Sequence, residues 1–179
     1  MTQPQPRLQD SAVLAPVYRG ADGRLTLLIV RRTDYGIHGG QLAFPGGKFS
    51  DGDENMLATA LRETREEVGI PEDSVQVLAK LPVVDTVTTG FRIYPFLGLV
   101  QPPQGDWWFE PREVAEVIEV AAQDLARPQA YGESVEKFDQ LPEPIRISYY
   151  NVGPHRLWGA TYRIVTPLLP RLLNGEWDI

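Results

Sequence analysis

Residues 46–70 read GGKFSDGDENMLATALRETREEVGI, and this stretch decides how the rest of the chain is interpreted. At 100° per residue, Glu63, Glu66 and Glu67 share an arc of roughly 100°, because positions i, i+3 and i+4 are neighbours on a helix surface. Leu57, Ala60, Leu61, Thr64 and Val68 lie on the adjacent arc and give it a mostly apolar stripe. A tight Pro45-Gly46-Gly47 turn precedes the helix, and Gly69 ends it as a C-cap glycine does. The spacing predicts one helix that holds a carboxylate cluster beside a buried face. Like charges at this spacing repel by roughly 0.2–0.5 kcal/mol per pair. A fold that keeps three of them together has a cation to put between them.

An isolated ExxEE on a helix is ordinarily a solvated face, but the turn, Arg62 and Gly69 in their places around it favour function. Mg2+ takes oxygen ligands in near-octahedral geometry, from a few carboxylates, waters and substrate phosphates. Glu63, Glu66 and Glu67 can supply such a set, completed by a backbone carbonyl around Gly46. There is no cysteine, and His38 and His155 are the only histidines, which argues against zinc.

A length of 179 residues, 42% hydrophobic and 23% charged, suits one domain with a sizeable core. No apolar run approaches the roughly 20 residues that span a bilayer. Residues 1–10, MTQPQPRLQD, have no apolar segment and read as a disordered tail, leaving 11–179 as a single domain. Zero cysteines exclude a disulfide framework and make a bacterial-type cytoplasm the simplest location. The net charge of −7 argues against a general nucleic-acid partner. It leaves room for a small anionic substrate, because a bound divalent metal reverses the local field.

Along the chain, residues 12–18 read as a strand placed near an edge or broken by Pro16. A hairpin turn at Asp22-Gly23 leads into 25–31, LTLLIVR, an interior strand. A loop follows to Gly40, then a brief strand at 41–44. Residues 75–84 and 91–100 form two strands around the polar loop 85–90. The segment 101–112 is a proline-rich loop with Trp107 and Trp108, and 113–120, EVAEVIEV, is a half-exposed strand. Residues 121–126 form a helical turn, and 127–144 read as a long functional loop. A last hairpin covers 146–150 and the segment near Arg156. Residues 158–173 have helical spacing, with Pro167 and Pro170 as kinks or an early stop. Strands mixed with two long helices predict a sheet between helices, or an α+β fold.

The acidic stretch resembles the Nudix signature, G-x5-E-x7-R-E-U-x-E-E-x-G-U, where U is a bulky aliphatic residue. Gly47 is followed by six residues before Glu54, then seven, then Arg62-Glu63 and Glu66-Glu67-Val68-Gly69-Ile70, with Thr64 at the first aliphatic position. The resemblance implies an α/β/α sandwich with a mixed sheet, and a Mg2+- or Mn2+-dependent diphosphatase. It implies Glu63, Glu66 and Glu67 as metal ligands, Arg62 as the residue that orients a glutamate, and Glu54 as the acid paired with Arg62. A surface ion pair worth about 0–1 kcal/mol is the plainer reading of Arg62 and Glu54. Glu67, Asp85 and Glu116 are all candidates for the general base. Gly46 and Gly47 allow close approach to substrate.

A second resemblance is to the coenzyme A pyrophosphatases of that family, whose upstream pattern is similar to L-L-T-x-R-[SA]-x3-R-x3-G-x3-F-P-G-G. This chain keeps Leu27, Leu28, Arg31, Gly40 and Phe44-Pro45-Gly46-Gly47, and departs at Ile29, Arg32 and Gly36. The implied reaction splits coenzyme A into 4′-phosphopantetheine and adenosine 3′,5′-bisphosphate, with Arg31 or Arg32 meeting the 3′-phosphate. ADP-ribose, NADH, a dinucleoside polyphosphate or a nucleoside triphosphate are the alternative substrates, and a non-catalytic nucleotide-binding module is the alternative of another class. The aromatic loop 107–109 is a candidate homodimer contact.

Overall fold

A computed structural model describes residues 8–35, 39–86 and 88–179. Residues 1–7 of the expected tail, together with Gly36 and His38, lie outside the described residues. The strands and helices run β1 (Gln9–Arg19), β2 (Leu25–Arg32), β3 (Leu42–Ala43), β4 (Gly46–Lys48), α1 (Met56–Val68), β5 (Gln76–Lys80), β6 (Val84–Asp85) and β7 (Phe91–Leu99). They continue with β8 (Val114–Ala121), α2 (Ala122–Leu125), β9 (Tyr131–Glu136), β10 (Ile145–Val152), β11 (His155–Trp158) and α3 (Gly159–Leu173).

Among the described residues, eight strands form one mixed sheet with the path β3-β2-β1-β7-β5, with β8 on β2, β4 on β1 and β6 on β7. Only β1 and β7 run parallel in it. Strand alternation divides its side chains between two layers. Ala12, Leu14, Tyr18, Leu28 and Val30 pack toward α1, with Ala60 and Val68. Ala15, Val17, Leu25, Leu27 and Ile29 pack toward α3, against Ile164, Val165 and Leu168. The helix–sheet–helix arrangement is the one expected from the sequence.

The centre of the sheet differs from expectation. Pro16 lies inside β1, a central strand, and not at an edge. The β1–β2 ladder stops at Val17↔Leu27, one residue short of Pro16, and β1 instead pairs with β4 through Val13↔Gly46. The chain from β3 to β4 thus enters a fork between β1 and β2, where the Leu14 N–H donates to the Pro45 carbonyl at 3.0 Å. A proline needs no ladder partner at that fork. The expected Pro-Gly-Gly turn is therefore an extended segment of the sheet. Gly46 is required there because a Cβ would stand 2.3 Å from the Ala12 carbonyl oxygen.

Three further expectations need correction. The first strand begins at Gln9, whose N–H donates to the Gly90 carbonyl at 2.8 Å, so Gln9 and Asp10 belong to the sheet and not to a tail. The long loop 127–144 contains β9, which joins β10 and β11 in a three-stranded antiparallel sheet. Its polar alternation, YGESVE, carries little hydrophobic signal. Helix α3 runs unbroken through Pro167 and Pro170. Both prolines are exposed, so the carbonyls they leave without a donor lie on the solvent side.

Candidate active site

Helix α1 is started by Asn55, whose Oδ1 accepts from the N–H groups of Leu57 at 2.9 Å and Ala58 at 3.0 Å. Gly69 stops it in the left-handed conformation at φ 69°, donating to the Arg65 carbonyl. Between these ends the helix presents its acids to β4.

Arg62 organises them. Its Nε donates to Asp53 Oδ1 at 2.8 Å and its Nη2 to Asp53 Oδ2 at 3.0 Å. Nη1 donates to Glu63 Oε1 at 2.8 Å and Glu66 Oε2 at 3.1 Å, and Nη2 also reaches the Lys48 carbonyl at 3.3 Å. The acid that holds Arg62 is therefore Asp53, and the expected Glu54 is exposed. Asp53 has its carboxyl held well below the ordinary range, first by its bonds to Arg62. The sequence is ambiguous here, since Asp53 keeps the five-residue count from Gly47 whereas Glu54 keeps the seven-residue count to Arg62.

Glu63 fits against Gly47 so closely that a Cβ there would stand 2.4 Å from its Cδ. Burial raises the Glu63 carboxyl, with Arg62 opposing and the charges of Glu66 and Glu113 adding to it. Glu67 is 2% exposed and accepts the Gly46 N–H through Oε2 at 3.0 Å. Burial pushes its pKa up to about 7, against the pull of the Gly46 N–H and of Arg32, while the charges of Glu63 and Glu113 push it further up. Glu113, in the turn leading into β8, was missed in the sequence. It acts on both acids, and its carbonyl accepts the Thr33 N–H at 3.0 Å.

The structure separates Arg31 from Arg32. Arg32 lies on the α1 side, its Nη1 3.7 Å from Glu67 Oε1 and its side chain 36% exposed. Arg31 pairs with Asp34 at 3.0 Å and approaches Glu116 at 3.6 Å, on the side where His155 Nε2 also approaches Glu116 at 3.5 Å. Glu116 is consequently away from the acid cluster. Asp85 is held bidentately by Arg92, at 2.9 Å for each bond, and its carboxyl is lowered by that pairing. Of the three candidate bases, only Glu67 belongs to the cluster.

Within the aromatic loop, Trp107 donates from Nε1 to Glu119 at 3.2 Å, and the Tyr18 hydroxyl bonds the same carboxylate. Trp107 and Phe109 pack on the core, and Trp108, 58% exposed, lies over Gly69. The Glu110 N–H donates to the Glu67 carbonyl at 2.9 Å, tying this loop to the end of α1. Leu27, Leu28 and Phe44, part of the upstream pattern, are buried core residues. No helix is long and apolar enough to cross a membrane among the described residues.

A mixed sheet between helices, with an arginine-held carboxylate cluster facing a glycine strand, defines the class. A NUDIX domain matches residues 8–141, and the chain belongs to the Nudix hydrolase family. It is 40% identical to the Uncharacterized Nudix hydrolase NudL of Cronobacter sakazakii over 87% of this chain and 73% of that protein. The protein of the same name from Citrobacter koseri is 38% identical over 86% of this chain and 72% of its own length. The fold is shared with a MutT/nudix family protein from Enterococcus faecalis at TM-score 0.60 and 14% identity, covering 97% of this chain and 65% of that one.

Proposed function

We propose that this Nudix hydrolase cleaves the diphosphate bond of coenzyme A, using Mg2+ or Mn2+ held by Glu63, Glu66 and Glu67. The observation that carries the metal reading is the crowding of these carboxylates: burial raises both Glu63 and Glu67, Glu66 and Glu113 add to it at Glu63, and Glu63 and Glu113 add to it at Glu67, so a cation among them would relieve each. As placed, no three acidic or histidine side chains among the described residues converge tightly on one point, because Glu63 and Glu66 are turned to Arg62. The donor set itself, carboxylate oxygens beside the backbone of Gly46, suits a hard cation. When bound, the metal would polarise the diphosphate and acidify an attacking water.

The chain's own groups do the rest of the work. Arg62 fixes Glu63 and Glu66 in direction, and the Gly46 N–H fixes Glu67. Glu67, held beside the Gly46 N–H, is the candidate base that lies within the cluster, and it can take up a proton from water as the water's oxygen bonds to phosphorus and the bridging oxygen leaves with the other phosphate. Arg32 can meet a substrate phosphate oxygen, since its ion pair among the described residues is a loose 3.7 Å contact to Glu67 and its side chain is partly exposed. Arg31, which keeps the coenzyme A pattern, is engaged by Asp34 and approached by Glu116, so Arg32, although it departs from that pattern, is the more available cation for a 3′-phosphate.

The coenzyme A reading is supported by the upstream pattern retained at Arg31, Gly40 and Phe44-Pro45-Gly46-Gly47. The departures at Ile29, Arg32 and Gly36 favour a second reading, in which another nucleoside diphosphate derivative is the substrate. Incubation with Mg2+ and a panel of coenzyme A, ADP-ribose, NADH, diadenosine polyphosphates and nucleoside triphosphates tests both. Release of 4′-phosphopantetheine and adenosine 3′,5′-bisphosphate is the expected result. Turnover of ADP-ribose alone would overturn the substrate, and turnover of none would overturn the reaction.

A further inference from the structure

Helix α1 buries two threonine side chains completely, and they spend their hydroxyl protons differently. Thr64 donates to the Ala60 carbonyl at 2.7 Å, the usual backbone bond one turn earlier. Thr59 has that option at Asn55, but its carbonyl contact is long, at 3.3 Å. The shorter contact, 2.8 Å, leaves the helix and reaches Asp53 Oδ2. A buried hydroxyl is thereby committed to a carboxylate that is itself 5% exposed.

Asp53 Oδ2 also accepts the Ser50 N–H at 3.0 Å, so two donors besides Arg62 fix the plane of the carboxylate. That plane matters because Arg62 has no slack. A guanidinium has five N–H groups. Arg62 makes five contacts with them, to Asp53 twice, and once each to Glu63, Glu66 and the Lys48 carbonyl. If the carboxylate turns, the fork follows it, and Nη1 leaves the line to Glu63 and Glu66. On the helix, Thr59 stands three, four and seven residues before Arg62, Glu63 and Glu66, so all four share one side of α1.

We infer that Thr59 is a positioning residue for the site: its hydroxyl fixes Asp53, Asp53 fixes Arg62, and Arg62 sets where Glu63 and Glu66 stand. The inference rests on the reading of Glu63, Glu66 and Glu67 as the metal-binding acids, and it adds the group that holds their organiser. Threonine is a poor choice for helix propensity at this position, and its hydroxyl is what an isosteric valine lacks.

Thr59→Val and Thr59→Ser test it with two readouts that need no substrate. The first is the exchange rate of the Arg62 Nε–H in the nitrogen-15 NMR spectrum of the metal-free protein. The second is the dissociation constant for Mn2+ alone. In Thr59→Val the Nε–H exchanges at least fivefold faster and Mn2+ binds three- to tenfold more weakly, while Thr59→Ser keeps both within twofold of wild type. Should the valine variant not fold, Thr59→Ala, a better helix former, is read the same way. Wild-type exchange and wild-type Mn2+ affinity in a folded Thr59→Val protein overturn the inference, as does equal loss in Thr59→Ser. A wild-type protein that binds no Mn2+ overturns the metal reading instead, and the exchange rate then decides the role of Thr59 alone.

Discussion

Replacing Gly47 with alanine places a methyl group 2.4 Å from Glu63 Cδ and 2.5 and 2.6 Å from its two oxygens. Ordinary carbon contacts begin near 3.5 Å, so the carboxylate has to withdraw by about 1 Å. The Glu63 side chain is flexible enough to withdraw, and the fold around it is unaffected. What the movement breaks is the 2.8 Å bond from Arg62 Nη1, a charge-assisted bond worth about 1.5–3 kcal/mol when intact. A catalytic group displaced by about 1 Å costs on the order of 100-fold in rate. Gly47→Ala is therefore expected to lose roughly 100-fold in turnover while remaining folded, its melting temperature lowered by about 3–12 °C as the lost bond implies. Gly52 lies in the same connection and has nothing within 4 Å of a built Cβ, so Gly52→Ala serves as a control that keeps full activity. Steady-state turnover of the cleaved diphosphate, with thermal melts of the three proteins, provides the comparison. Activity of Gly47→Ala within threefold of wild type would refute the placement of Glu63 against this strand.

Neutralising the acid that holds Arg62 should separate two neighbours. Asp53→Asn leaves a half-buried guanidinium short of one charge and is expected to cost about 1–3 kcal/mol in urea unfolding, with at least a tenfold loss of turnover. Glu54→Gln, at an exposed position, should stay within about 0.5 kcal/mol of wild type. The pH dependence of the metal-free protein follows from Glu67. Its pKa is raised from 4.5 to about 7, so its folded form holds the proton more tightly, and the stability it confers below pH 4.5 is lost as pH rises to about 7. That loss is on the order of 3 kcal/mol in EDTA between pH 4.5 and 8, and Glu67→Gln should abolish it while abolishing activity. Asp53 has the opposite sign, its contribution disappearing as pH falls through its depressed pKa. Finally, Arg32→Ala should raise KM for coenzyme A about tenfold or more and leave 3′-dephospho-coenzyme A within twofold, measured by product release.

The acidic helix was legible because its period, the arginine beside its first carboxylate and its terminal glycine all act within a few residues of one another. Which of Asp53 and Glu54 turns inward was not, since that depends on the turn from Ser50 and on a hydroxyl one turn into the helix. The separation of Arg31 from Arg32 could have been read from strand alternation alone, because adjacent residues of β2 point to opposite faces. The fork at Pro16 could not. It arises from a segment 30 residues later entering between two strands, and nothing local to residues 12–18 announces it. Strand β9 escaped for the reason that hydrophobic periodicity finds strands only when one face is buried in apolar surroundings. Its burial pattern alternates, but its side chains are mostly polar.

The most direct test of the account is turnover of coenzyme A by Glu66→Gln, with and without Mg2+. Glu66 is half exposed and supports no core packing, so the substitution leaves the fold intact. Wild-type hydrolysis is expected to require the metal, and Glu66→Gln to lose at least 100-fold of it. Metal-independent hydrolysis, or a Glu66→Gln protein as active as wild type, would contradict it.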